Sequence, residues 1–235
     1  MEDRNARTIQ MVGQSGMDKL KAARVLIVGV GGVGSYAAEA IARAGIGTIT
    51  VVDGDQVAAS NLNRQLVALA STIGMNKALV MADRIRDINP DCNVTAIPSF
   101  YRPARQDVGS ADAEPAVSSL PLTDYDWIVD AIDDVESKVM LIRTAKELGV
   151  NIISAMGAAG KFETYFKVTD ISRTSVCPLA KVMRKRLRDA GIEHLPVVFS
   201  DEKAMPRDGE LGSMPYVPGA MGLELAGYVI KEIVK

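Results

Sequence analysis

Cysteine, histidine and tryptophan are nearly missing from this sequence, with two, one and one among 235 residues. Cys92 and Cys177 form no C-x-x-C pair, which argues against a thiolate zinc site. The lone histidine, His194, sits in a polar turn far downstream and reads as a surface residue rather than a catalyst. No apolar run reaches 18 residues, so no spanning helix and no membrane partner are expected. Met1 to Arg7 is charged and has no apolar signal core. A reduced, cytoplasmic protein is the simplest expectation. An excess of one charge is lacking too: 27 basic against 29 acidic residues leave a net charge of -2. That balance gives no global drive toward nucleic acid, so a polyanion partner needs a local basic patch. Aromatic residues are 5% of the chain, and no platform for stacking bases stands out.

What is present is apolar and periodic. Apolar residues make up 48% of the chain, enough for one sizeable core. "VLIVGV" (25–30), "TITVVD" (48–53), "NVTAI" (93–97), "DWIVDAID" (126–133) and "NIISA" (151–155) read as strands. Helices are expected over 33–44, 77–88 and 135–148, stopped by Gly45, by Asn89-Pro90 and by Gly149. The N-terminal segment reads as helical only through 17–22. Residues 103–123, rich in Pro, Ser, Ala and Asp, read as a loose insertion. The last third adds a half-buried strand over 163–171, a basic helix over 178–190 and a strand over 195–200. A loop over 201–216, read as mobile, then precedes an apolar helix over 217–234. The alternation implies an α/β protein: a Rossmann-like, doubly wound, mainly parallel sheet with a mixed C-terminal extension. We expect one domain, 1–235. Residues 1–160 form its nucleotide-binding part, and 161–235 face the substrate and a partner subunit.

The stretch "RVLIVGVGGVGSYAAEAIARAGIGTITVVDGD" (24–55) carries the first chemical signal. Gly29 permits a tight turn, Gly31 lets backbone approach phosphate, and Gly34 lets helix meet strand. The helix start offers N–H groups and a positive dipole end to an anion. Asp53, 19 residues beyond Gly34, is placed to accept from ribose hydroxyls. Two segments further along the chain disfavour an NAD(P) oxidoreductase. "SNLNRQ" (60–65) and "GMNKA" (74–78) put Arg64 and Lys77 where a dinucleotide site needs little charge. A triphosphate needs such cations, with a metal ion. Asp133 closes its predicted strand at the carboxyl edge of the sheet, where a carboxylate suits Mg²⁺ shared with phosphate oxygens.

Together, Gly-x-Gly-Gly-x-Gly, "VVDGD", "SNLNRQ", "GMNKA" and "VDAIDD" resemble the ubiquitin-activating-type adenylating superfamily. The resemblance implies an ATP site built from Gly29, Gly31, Gly32, Gly34, Asp53, Asp55, Asn61, Arg64, Gln65, Lys77 and Asp133. Asp53 would hold ribose. Asn61, Arg64 and Lys77 would face the phosphates beside Gln65, and Asp133 would hold Mg²⁺. Arg7, second in Arg4-x-x-Arg7, would reach into the partner's site of a homodimer, joining Arg64, Lys77 and Asp133 in catalysis.

"SAMGAAGKF" (154–162), "VTDISRTSVCPLAKVMRKRLRDAGI" (168–192), "PVVFSDE" (196–202) and "GSMPYVPGAMGL" (212–223) narrow the resemblance to the tRNA threonylcarbamoyladenosine dehydratase branch. That branch adenylates the threonylcarbamoyl carboxylate beside the anticodon and cyclises the product. The nucleophile lies within the substrate, so no enzyme thiol is required. Cys177 is read as structural and Cys92 is given no role. "KFET" (161–164) departs from the Asp-Pro often found there, and Glu210 to Gly212 replace a cysteine some relatives carry. The alternative is adenylation of the C-terminal Gly-Gly of a sulfur-carrier protein. A monovalent cation and a sulfur-transfer partner stay open. For tRNA, Lys181, Arg184, Lys185 and Arg188 are three or four residues apart and share a helix face, with Arg186 beside them. Arg102 and Arg105 are weaker candidates.

Overall fold

The computed structural model describes residues 4–102 and 116–235. Helix α1 (Ala6–Ala22) leads into strand β1 (Arg24–Val28), helix α2 (Gly34–Arg43) and strand β2 (Thr48–Val52). Helix α3 (Lys77–Ile88) and strand β3 (Asn93–Ile97) follow, then two short strands, β4 (Phe100–Tyr101) and β5 (Ala116–Val117). The chain returns to the main sheet as β6 (Trp127–Asp130), α4 (Val135–Glu147) and β7 (Asn151–Ala155). It closes with β8 (Lys167–Asp170), α5 (Pro178–Asp189), β9 (Pro196–Phe199) and α6 (Tyr216–Val234). Among the described residues the main sheet has the order β3-β2-β1-β6-β7-β9-β8. Its pairs are parallel except the antiparallel β8–β9 edge.

The strand order follows from burial on both faces. Along β1, Val25 and Ile27 face one apolar layer while Leu26 and Val28 face the other. The first layer packs Met17 and Leu20 of α1, Ala38 and Ile41 of α2, Met81 and Ile85 of α3, and Met221, Leu225 and Val229 of α6. The second packs Leu141 and Ile142 of α4 with Met183 and Leu187 of α5. Each such Leu, Ile, Val or Met side chain, fully buried, contributes about 1.5–3 kcal/mol. Because α6 and β9 join the same layers as the glycine-loop half, residues 161–235 share the core of residues 1–160. The chain runs outward from β1 to β3 and then crosses to β6, so the strand order reverses at the tips of β1 and β6, where such sheets bind ligands.

The structure differs from the sequence expectation in four places. The N-terminal helix begins at Ala6, with a break at Gly13 (φ 71°) that lets the charged first half continue. The predicted strand 126–133 stops at Asp130, so Asp133 lies in the turn beyond it. The predicted strand 163–171 shrinks to Lys167–Asp170, because Glu202 captures the Phe162 and Glu163 amides at 2.8 and 3.0 Å instead. The loop read as mobile is fastened: Met205 N donates to Gly160 O and Gly160 N to Gly212 O, each at 2.8 Å. Residues 103–115 of the loose insertion, Arg105 among them, lie outside the described residues. No helix among the described residues is long and apolar enough to cross a membrane.

Candidate active site

The glycine turn is dictated by close backbone approach. Gly29 has φ 87°, and a Cβ there would lie 2.6 Å from Ala131 O. At Gly34 a Cβ would lie 1.8 Å from Gly29 O, so only glycine lets α2 start against the end of β1. A Cβ on Gly31 would meet nothing closer than Gln65 Nε2 at 3.6 Å, which leaves its backbone open to a ligand. The N-cap residue of α2, Val33, makes no side-chain cap, and Gly31, Gly32 and Val33 line a cavity of about 710 Å³. The positive end of the helix therefore opens onto that cavity.

Asp53 ends the β2 crossing. Its Oδ2 accepts from Val30 N at 2.8 Å and its Oδ1 from Asp55 N at 2.9 Å. Burial pushes its pKa up, opposed by those two amides and by Lys77. The "GMNKA" segment is a helix start with a purpose. Asn76 caps α3, its Oδ1 accepting from Ala78 N and Leu79 N, while its Nδ2 donates to the carbonyls of Asp53 and Asp55. Lys77, the first helical residue, is thereby placed on the cavity wall. It is only 6% exposed, and its Nζ pairs with Asp55 Oδ2 at 2.7 Å.

The "SNLNRQ" segment winds into a single 3-10 turn, Ala59–Asn61, and then turns again so that Arg64 and Gln65 face the cavity. Arg64 Nη1 donates to Ser60 O and to Asn63 Oδ1, both at 2.8 Å. Gln65 is buried, and its Oε1 has no hydrogen-bond partner among the described residues. That acceptor is available to a polar group of a ligand entering the cavity. Asn61 differs from its expected place. Its Oδ1 accepts from Ala58 N at 3.0 Å, and it shapes the turn without lining the cavity.

Asp133 lines the same cavity and is exposed to it, whereas its neighbour Asp134 caps α4 by accepting from Ser137 N at 2.8 Å. That bonding with Ser137 holds the Asp134 carboxyl below its usual range. Arg7 lies outside this assembly. It is exposed in the first turn of α1, with Nη1 3.3 Å from Gln10 Oε1.

Sequence reasoning missed much of the far wall. Phe100 and Arg102 line the cavity, with the Arg102 guanidinium 3.9 Å over the Phe100 ring. Gly54 makes room for that ring, which a Cβ would approach to 2.4 Å. Met156 to Ala159, Leu179 and Leu211 to Ser213 complete the β7 side. Cys177 sits beneath this side, buried, with its Sγ 3.3 Å from where a Gly157 Cβ would be. It packs there as a small apolar group.

The basic helix α5 divides. Lys181, Lys185 and Arg188 are exposed and form no ion pair with a described residue. Arg184 is half-buried, with Nη1 donating to Thr174 O at 2.7 Å and to the Thr174 hydroxyl. Arg186 pairs with Glu136 Oε2 at 2.5 Å.

Fold and cavity together define a nucleotide-binding α/β protein with its site at the strand-order reversal. The chain belongs to the ThiF family, whose model matches residues 2–235. It is 38% identical to the tRNA threonylcarbamoyladenosine dehydratase of Bacillus subtilis, over 95% of this chain and 92% of that protein. It is 39% identical to the Escherichia coli protein of the same name, over 79% of this chain and 66% of that one. The structure of E. coli tRNA N6-threonylcarbamoyladenosine dehydratase, TcdA, in complex with ATP superposes with a TM-score of 0.85 at 34% identity. That superposition covers 98% of this chain and 93% of the other.

Proposed function

We propose that this chain is an ATP-dependent tRNA threonylcarbamoyladenosine dehydratase. The observation that carries the reading is one cavity joining the glycine turn, Arg64, Gln65, Lys77 and Asp133 at the tips of β1, β2 and β6. Asp53 takes the ribose, and Asp55 holds Lys77 in place until phosphate competes for it. The glycine-turn amides, Arg64, Gln65 and Lys77 take the phosphates. Among the described residues no three His, Cys, Asp or Glu side chains cluster as a metal cage. That suits Mg²⁺, which binds through one or two carboxylates plus phosphate oxygens. Asp133 would hold it, and Mg²⁺ bound there would supply neutralisation of phosphate charge.

The chemistry is positioning and charge neutralisation. A carboxylate oxygen of the threonylcarbamoyl group attacks the α-phosphorus, and pyrophosphate leaves. A nucleophilic atom of the same modified side chain then attacks the activated carbonyl carbon, and the side chain gives up a proton to solvent. AMP departs with the former carboxylate oxygen, so one water is lost overall. Residues 161–235 form the substrate side, and Lys181, Lys185 and Arg188 track RNA phosphates. Arg7, committed to nothing in its own cavity, acts across a homodimer on the partner's site. We assign the reaction to the cytoplasm, with its tRNA.

The test is to incubate the protein with ATP, Mg²⁺ and threonylcarbamoyladenosine-containing tRNA and to weigh the nucleosides. Loss of one water from the modified adenosine, with AMP released, is the expected result. Unchanged nucleoside mass overturns the reading. Pyrophosphate exchange that depends on a carrier protein and not on tRNA would establish sulfur-carrier activation instead.

A further inference from the structure

A fully buried cation lies just behind the acid proposed to hold the metal. Lys138, on the first turns of α4, is 0% exposed. Its Nζ stands 2.9 Å from Asp130 Oδ2 and 2.9 Å from Ile132 O. Asp130 is itself held by three donors. Its Oδ2 also accepts from Ser154 Oγ at 2.6 Å, and its Oδ1 accepts from Ile132 N at 3.1 Å. Ile132 is therefore gripped on both sides, its N–H by Asp130 and its carbonyl by Lys138. Ala131 N is tied to Val28 O at 2.9 Å, which anchors the same turn to β1. The Ile132 carbonyl and the Asp133 amide belong to one planar peptide unit. Whatever fixes that carbonyl fixes the plane from which the Asp133 side chain departs.

Burying an ammonium is unfavourable, and a well-packed apolar side chain is often at least as stable in its place. The charge here does what an apolar group cannot: it binds a carboxylate and a backbone carbonyl at once. We infer that Lys138 is a positioning residue: by bridging Asp130 and the Ile132 carbonyl it holds the Ala131–Asp133 turn so that Asp133 faces the cavity. This rests on the proposed metal-holding role of Asp133, but the hold on the turn stands on its own geometry.

Lys138→Met alone strands the Asp130 charge, so the informative variant is Asp130→Asn/Lys138→Met, which removes both charges together. Hydrogen–deuterium exchange over residues 131–134 is measured first, without ligand. Exchange is expected to quicken roughly tenfold or more there, as loss of a charge-assisted hydrogen bond implies, with little change in α2 and α3. In the tRNA reaction the half-saturating Mg²⁺ concentration is expected to rise about 10–100-fold, the effect typical of removing a group that orients a metal ligand. The KM for tRNA stays within about twofold of wild type. A folded double variant with wild-type exchange and wild-type Mg²⁺ dependence overturns the inference. So does a double variant that cannot fold, which would make the pair purely structural. A wild-type chain with no ATP-dependent water loss sinks the functional reading instead, and the exchange measurement still decides whether Lys138 holds the turn.

Discussion

Two sets of cations divide this molecule by what surrounds them. Lys77 and Lys138 are 6% and 0% exposed, and each ammonium is spoken for by a carboxylate. Lys181, Lys185 and Arg188 stand in solvent on α5 and pair with no described carboxylate. The first arrangement is costly, because desolvating an ammonium consumes most of what its partner returns. It is kept where a charge must stand at one point, as beside a phosphate whose bonds are to change. The second costs almost nothing and fixes no geometry. It suits a ligand that presents many equivalent charges along a flexible track, as RNA does. On the proposed function, the contrast separates the step that needs precision from the step that needs attraction.

The sharpest way to break the contrast is to remove the buried charge at the cavity. Lys77→Ala is expected to lower the rate of AMP formation by roughly 10²–10³, the effect of deleting one preorganised charge donor. The tRNA affinity should be unaffected. Loss of Lys77 also leaves Asp55 repelling the triphosphate, so the KM for ATP rises as well. A single-turnover assay with saturating tRNA reads both. A rate within threefold of wild type would show that Lys77 does not serve the phosphates.

The opposite outcome is expected from the exposed set. With Lys181, Lys185 and Arg188 all replaced by alanine, tRNA binding should weaken and its dependence on log salt should flatten by about 2–3 units. Filter binding across a salt series measures that slope. The rate at saturating tRNA should hold. A fall in that rate with an unchanged slope would place these side chains in catalysis and erase the distinction.

How far the sequence foretells this depends on how local the cause is. The turn Gly29 to Gly34 and Asp53 fall within the first βαβ unit and the Asn76–Lys77 helix start opens the next, so short-range spacing marks them, although Gly29 also packs on the Ala131 carbonyl beyond β6. Asp133 is legible too, but its strand reads three residues too long, because the apolar run hides the point where Asp130 turns inward to Ser154 and Lys138. Lys138 itself gives no sign: on a helix wheel it is one more lysine, and only the neighbouring strands bury it. The far wall is unreadable for the same reason, since Glu202 and Gly212 reach residues 160–163 from about forty to fifty positions away. Periodicity also overreaches. It groups Arg184 with Lys181, Lys185 and Arg188, and the carbonyl of Thr174 takes it out of that group.

That reassignment yields a smaller and more discriminating effect. Arg184→Ala should destabilise the fold by about 1.5–3 kcal/mol, the usual worth of hydrogen bonds from a charged donor. It should leave the salt slope of tRNA binding nearly unchanged. Urea denaturation and the same filter assay, run side by side, separate the two. A slope that drops by a full unit with stability intact would return Arg184 to the exposed set.

The smallest effect belongs to Arg186, which sits between the two classes. It is near the surface, yet Glu136 of α4 holds it at 2.5 Å and raises its pKa further above the usual arginine value. A pair this open to water is screened and adds little to stability, so Arg186→Ala should leave the melting temperature within error. Its charge is already partly offset by Glu136, so the substitution should also flatten the salt slope by less than one exposed lysine does. The reverse substitution makes the point more directly. Glu136→Ala frees the guanidinium, and tRNA should then bind slightly tighter with a steeper slope. If Glu136→Ala weakens binding instead, the ion pair is serving to aim Arg186, and a cation on α5 would have to count as positioned although it is not buried.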